Sequence, residues 1–215
     1  MKYSACLILL NTMKTLFFLF AIICSSNLKS EQEYSKSRYR LLASGGLFIN
    51  ADLLPISTQG DISYKKSYIG VLGLNYDLQK KLGILNLELE GLLGKHKGEM
   101  NHSELGGVLV ARIPNLILKP MSFAFGEGLS WASENPFLEN RKKGWDRGSF
   151  NTENIESRPF LNYLMFELDY GIPSISLQPK VFVRIHHRSG IWGTFCPPDP
   201  PCGSNFLTYG VKVSL

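Results

Sequence analysis

From Tyr39 onward, apolar and polar residues alternate with a period of two. Tyr209, Val211, Val213 and Leu215 fall on one face of the last segment, with Gly210, Lys212 and Ser214 on the other. Leu85, Leu87 and Leu89 alternate with Asn86, Glu88 and Glu90. Phe160, Leu164, Phe166, Leu168 and Tyr170 share a face opposite Glu167 and Asp169. Successive side chains of a strand point to opposite sides, so this period predicts strands with one apolar and one polar face. Turn residues divide the chain into eight such segments, at about 39–51, 66–78, 83–94, 103–113, 120–132, 158–171, 176–190 and 204–215. Segments of this length suit tilted strands that cross a bilayer. Helical periodicity is weak, and Gly and Pro recur too often for long helices. The expected fold is all-β, an eight-stranded antiparallel transmembrane β-barrel. A soluble barrel or sandwich also alternates, but turns its apolar face inward.

The connections support the membrane version. Those at about 79–82, 114–119 and 172–175 are short; those at 52–65, 95–102, 133–157 and 191–203 are longer and polar. Short turns at one rim and long loops at the other are the asymmetry of outer-membrane barrels, and an even strand count puts both termini at the short-turn rim. No segment offers about 18 apolar residues without a charge, so no transmembrane helix is expected. Within hydrocarbon, only a helix or a closed barrel satisfies its own backbone.

The N-terminus reads as a secretory signal over residues 1–30. A basic start at Met13-Lys14, itself a candidate true start, precedes the apolar run Leu16 to Ile23, and small and polar residues follow to Ser30. Residues 31–215 are then the barrel. The formal charge of +5 shrinks on this reading. Three of the 23 basic residues, Lys2, Lys14 and Lys29, lie in the first 30 positions and none of the 18 acids does, which leaves +2. So small a balance does not favour nucleic acid as a partner. Of the four cysteines, Cys196 and Cys202 remain, a close pair suited to a disulfide in an oxidising compartment. There is no nucleotide, zinc or calcium motif, and two cysteines alone do not make a metal site, so no cofactor is expected.

The chemistry that stands out is on the seventh segment, Val181 to Gly190. Val181, Val183 and Ile185 form its apolar row, and His187 and Ser189 continue that row, while Arg184, His186 and Arg188 take the lumenal face. Two polar side chains on a lipid-facing row, just before an outer loop, would sit where acyl chains meet headgroups. A His beside a Ser can serve as general base for a hydroxyl nucleophile. The bland reading is a strand end that meets the headgroup layer. Asn205 shares the outward parity of the last segment and is expected opposite Ser189, where it could orient the imidazole or donate to an oxyanion.

Arg184 to Gly193, with Gly203-Ser204-Asn205 and the alternating C-terminal strand, resembles the lipid A 3-O-deacylase family. Arg158 to Leu164 and Gly126 to Trp131 add to the likeness, which is best over the C-terminal third and thin before residue 120. The resemblance implies an outer-membrane barrel that removes an ester-linked acyl chain from the lipid A of lipopolysaccharide, a carboxylic ester hydrolase. Its catalytic His and Ser, two apart and facing the membrane, correspond to His187 and Ser189. The family's third member is a Glu about a dozen residues after the Ser. Here no Glu follows Ser189, and Asp199 is the nearest acid. The third role therefore falls to Asp199 or Asn205, and a non-catalytic barrel with a structural or surface-interaction role is the alternative.

Two further groups complete the expectations. Glu88, Glu90, Glu127, Glu167 and Asp169 would meet Arg112, Lys180, Arg184, His186 and Arg188 in a narrow lumen. Glu127 has outward parity, so it needs a bulge at Gly126 or Gly128 to turn inward; without one it becomes a catalytic candidate. Arg141, Lys142, Lys143 and Arg147 in the longest loop could meet lipid A phosphates.

Overall fold

The computed structural model describes residues 37–50, 64–140, 157–172, 174–175, 177–191, 194–196 and 202–215. The expected signal segment, Asp199 and the basic cluster from Arg141 to Arg147 lie outside these residues. Eight strands form one closed antiparallel barrel in sequential order. They are β1 (Tyr39–Ile49), β2 (Tyr64–Leu82), β3 (Leu85–Gly98), β4 (Ser103–Pro114), β5 (Met121–Ala132), β6 (Phe160–Gly171), β7 (Lys180–Ser189) and β8 (Gly203–Ser214). β1 and β8 pair from Arg40↔Ser214 to Ile49↔Asn205, which closes the wall and leaves no strand edge bare. A short 3-10 turn, Phe137–Glu139, lies between β5 and β6.

Three boundaries depart most from the sequence reading. β3 runs on to Gly98, so of the longer connection expected at 95–102 only residues 99–102 lie between β3 and β4. The polar run Gln79-Lys80-Lys81 looks like a turn, yet β2 continues through it. The Asp77 carboxylate accepts the Gln79 N–H at 2.7 Å, and Gln79 takes a left-handed φ of 55°. The register shifts there as a bulge, and the reversal comes at Gly83, where φ is 60°. β7 begins at Lys180 rather than 176. The Gln178 N–H bonds back to Ile175 at 2.8 Å and Ile172 to Pro179 at 2.8 Å, so the preceding turn holds more residues.

The two faces of the wall differ sharply. Outward positions carry large exposed apolar side chains, among them Leu41, Leu72, Leu93, Leu105, Val181 and Val211. Aromatic rings lie toward both rims: Tyr64, Trp131 and Phe160 at the loop end, Tyr39 and Tyr170 at the turn end. A contiguous apolar surface of this kind is what hydrocarbon covers, with aromatics at its two boundaries.

The inside is filled, so the lumen is not a pore. Phe48, Phe206, Leu92 and Tyr163 are fully buried. A Cβ added at Gly210 would collide with the Phe182 ring. Around them runs an ion-pair network. Arg112 Nε donates to Glu88 at 2.7 Å, Arg112 also pairs with Asp169, and Arg184 bridges Glu90 and Glu167, each at 2.6 Å. Lys212, which the sequence reading did not pick out, donates to Glu167 at 2.8 Å. Nearer the loop end, His186 meets Glu104 at 3.1 Å, a carboxylate it shares with buried His96 at 2.9 Å, and Arg188 meets Glu139 at 3.0 Å. Paired charges in such a lumen add little net stability, but removing one partner strands the other without solvent.

Glu139 closes the loop end. It sits in the 3-10 turn and reaches into the barrel mouth, where it accepts the Ser204 hydroxyl at 2.7 Å as well as Arg188. Asn140 bridges to Cys202 beside it. Burial outweighs the arginine and pushes the Glu139 carboxyl up to about 7.

Candidate active site on the outer wall

β7 alternates as its period requires. Phe182, Arg184, His186 and Arg188 are buried inward, whereas Val181, Val183, Ile185, His187 and Ser189 line the outside, His187 and Ser189 partly exposed. The His-Ser pair therefore stands on the apolar wall near the loop rim. Strand rise puts the two Cα atoms about 7 Å apart, within reach of the long imidazole.

Asn205 is on the same outer face but not where the sequence reading put it. It pairs with His187, while Ser189 pairs with Gly203. The shift is two residues, so the side chain keeps its face, since parity survives any even slip. The new position joins it to the imidazole: His187 Nδ1 donates to Asn205 Oδ1 at 2.6 Å. A carboxamide oxygen can only accept, so His187 donates through Nδ1, which makes Nε2 the basic nitrogen of the ring. Asn205 is 3% exposed, which shelters this bond from competing solvent.

The segment after Ser189 is tightly held. The Ile191 N–H donates to Ser189 Oγ at 3.2 Å. Ile191 has φ of 43°, a left-handed conformation that a β-branched side chain resists. Its neighbours sustain it: the Gly190 N–H bonds to Cys202 at 3.2 Å, Phe195 to Gly190 at 3.0 Å, and Thr194 to Ile191 at 2.9 Å. The Cys196–Cys202 disulfide closes the same segment, as the sequence suggested.

Glu127 does not turn inward. β5 and β6 pair without a bulge through Gly126 and Gly128, so period two keeps Glu127 on the outside, exposed. It lies opposite Leu164, and Leu164 lies opposite His187. Its partner is Asn162, whose Nδ2 donates to Glu127 Oε1 at 3.4 Å and to the Gly128 carbonyl at 3.1 Å. Asn162 pairs directly with Ser189 across β6 and β7. The outer wall thus carries one polar patch over four adjacent strands: Glu127, Asn162, His187 with Ser189, and Asn205. The sequence reading passed over Asn162, although its even number puts it in the row of Phe160 and Leu164. Among the described residues no group of His, Cys, Asp and Glu could hold a metal ion.

Fold and site together define a closed eight-stranded barrel, apolar outside and charged inside, with a His-Ser-Asn cluster on the apolar wall. Solved structures similar to it include the following two. The "outer membrane enzyme PagL" matches with a TM-score of 0.47 and 14% identity, over 82% of this chain and 99% of that chain. Neisserial surface protein A (NspA) matches with a TM-score of 0.46 and 10% identity, over 83% of this chain and 98% of that chain. No family model and no curated protein sequence matches the chain.

Proposed function

We propose that this protein is an outer-membrane lipid esterase that attacks its substrate from the side, at the outer wall, with Ser189 as nucleophile and His187 as general base. The observation that carries the reading is the bond from His187 Nδ1 to Asn205, formed on the exterior of an apolar wall, two residues along the same face from an outward serine. The depth suits an ester. Asn162, opposite Ser189, lies two residues below the exposed Phe160, or roughly 5 Å along the axis of a tilted barrel. Ester linkages lie at that boundary between headgroup and acyl chain.

Ser189 Oγ attacks the ester carbonyl carbon as His187 Nε2 takes the hydroxyl proton. The C–O bond to the alcohol then breaks, and His187 returns the proton to the leaving oxygen. Asn205 holds the tautomer that makes Nε2 the base. The Ile191 N–H, already directed at Ser189 Oγ, is a backbone donor beside the developing oxyanion. The likeness of Arg184 to Gly193 to the lipid A 3-O-deacylases supports the lipid A of the outer leaflet as substrate. One observation favours a non-catalytic barrel instead: the partner of His187 is a neutral carboxamide, which stabilises an imidazolium less than a carboxylate does.

Mass spectrometry of lipid A separates the two. Cells expressing the native protein should lose one ester-linked acyl chain, and cells expressing His187→Ala or Ser189→Ala, with the barrel inserted, should keep it. Unchanged lipid A beside inserted native barrel would remove lipid A as the substrate.

A further inference from the structure

A serine hydrolase on a lipid-facing wall faces a difficulty that soluble hydrolases do not. Its first half-reaction needs only the ester and the serine. Its second needs water, held against the acyl-serine in a layer that hydrocarbon keeps dry. Something on the wall must supply polar contacts for that water. His187 gives one, through Nε2, but a water oriented for attack needs a second acceptor for its other hydrogen.

The outer wall carries such a group on the side of Ser189 away from Asn205. Asn162 is directly across from Ser189. Its Nδ2 is committed to two acceptors on β5, the Gly128 carbonyl at 3.1 Å and Glu127 Oε1 at 3.4 Å. With the nitrogen engaged there, the carboxamide oxygen is the end left for a donor from outside. Glu127 needs its own explanation. A carboxylate on the lipid-facing row is costly at depth, and intramembrane ionisable side chains are retained where they serve a site. Its direct cross-strand neighbours, Leu109 and Leu164, are both apolar. A carboxylate here makes sense as the group that fixes the Asn162 amide and keeps the spot wet.

We infer that Asn162, held in place by Glu127, positions the water that hydrolyses the acyl-Ser189 intermediate. This rests on the esterase reading above. In the step, the water oxygen attacks the acyl carbonyl carbon while His187 Nε2 takes one of its protons. Asn162 Oδ1 accepts a hydrogen bond from the other. The bond from the carbonyl carbon to Ser189 Oγ then breaks, His187 returns the proton to Oγ, and the fatty acid leaves. Asn162 acts on the second half-reaction only, and Glu127 acts through Asn162.

The test is pre-steady-state hydrolysis of a medium-chain p-nitrophenyl ester by the full barrel in detergent micelles. It is read together with the intact mass of the protein. For Asn162→Ala, the p-nitrophenol burst should stay within about threefold of native, while steady turnover falls about tenfold to a hundredfold. Protein heavier by one acyl group should accumulate. Hydroxylamine, a nucleophile strong enough to need no positioning, should restore turnover. Glu127→Gln keeps an acceptor for the Asn162 amide and should stay near native, whereas Glu127→Ala should follow Asn162→Ala. The burst amplitude counts folded sites, so a misfolded variant does not pass for a slow one. A burst and a steady rate that fall together, or a steady rate that does not fall, would overturn the role of Asn162 while leaving the esterase standing. A native protein that releases no p-nitrophenol above the Ser189→Ala background would overturn the esterase reading, and this inference with it.

Discussion

Asn205 offers the sharpest probe of the catalytic cluster. Replacing it with Leu keeps the bulk and the β-strand register but removes the acceptor 2.6 Å from His187 Nδ1. Two losses follow. The imidazole loses the contact that fixes its ring, and the Nδ1–H is left facing an apolar neighbour in a spot where Asn205 was 3% exposed. A buried donor without its partner costs about 1–3 kcal/mol. The neutral ring can recover part of this by shifting its proton to Nε2, which is the tautomer that cannot take a proton from Ser189. The same energy therefore appears in the barrier, as about a fivefold to 150-fold fall in kcat with KM little changed. Asn205→Asp should act in the opposite direction, because a carboxylate at this distance stabilises the imidazolium formed during attack. The assay is steady-state hydrolysis of a medium-chain p-nitrophenyl ester in micelles. It is paired with 15N NMR of the histidine ring, which reports which nitrogen is protonated. If Asn205→Leu left both kcat and the Nδ1-protonated tautomer as they are, the bond would have no part in catalysis and the cluster would lose its orienting member.

Three other expectations concern the barrel itself. Glu167 accepts from Arg112, Arg184 and Lys212 at 2.6 to 3.0 Å, so Glu167→Ala takes from three buried cations a carboxylate they share, leaving them Glu88, Asp169 and Glu90. Its urea midpoint in micelles should drop by the equivalent of about 3–5 kcal/mol, and a loss under 1 kcal/mol would show that the network relaxes without it. If hydrocarbon covers the wall, Leu72→Arg, outward and near midway between the rim residues Tyr64 and Tyr76 of β2, should cost about 2–4 kcal/mol in bilayer refolding, and Tyr64→Arg at the loop rim no more than about 1; equal costs would argue for an aqueous exterior. The raised Glu139 carboxyl ties the loop end to pH. An acid with a folded pKa near 7 and an ordinary value near 4.5 when released binds more protons folded than open. Its contribution, up to about 3 kcal/mol by that difference, is complete below pH 4.5 and disappears as pH rises through 7. Protection of the Asn140 amide, corrected for intrinsic exchange, should fall between pH 5 and 8 in the native protein and stay flat in Glu139→Gln.

Much of the architecture was legible from residue order because the period of a strand is two and nothing in the fold disturbs it for long. The row Val181, Val183, Ile185 placed His187 and Ser189 outside, and the same rule placed Arg184 and Arg188 inside. It also marked Glu127 as outward. The cost of an exposed charge kept an inward turn at Gly126 or Gly128 open as the alternative, and the unbroken β5–β6 register decides for the outward one. Asn162 was equally legible by parity; a lone Asn in an apolar row is easily passed over until its cross-strand neighbour is known.

What parity cannot supply is register, because any even slip preserves every face. Only the closed barrel decided that Asn205 stands beside His187 rather than Ser189, and that Asn162 stands beside Ser189. The bulge at Gln79 likewise depends on one carboxylate capping one amide, which polarity along the chain does not distinguish from a turn. The lumenal partners are further still from the sequence. Glu104 meets His186 across a separation of 82 residues, and Glu90 meets Arg184 across 94. Such pairs are chosen by which side chains a closed wall brings to one height in a narrow interior. The sequence by itself determined the faces; closure of the barrel determined the neighbours.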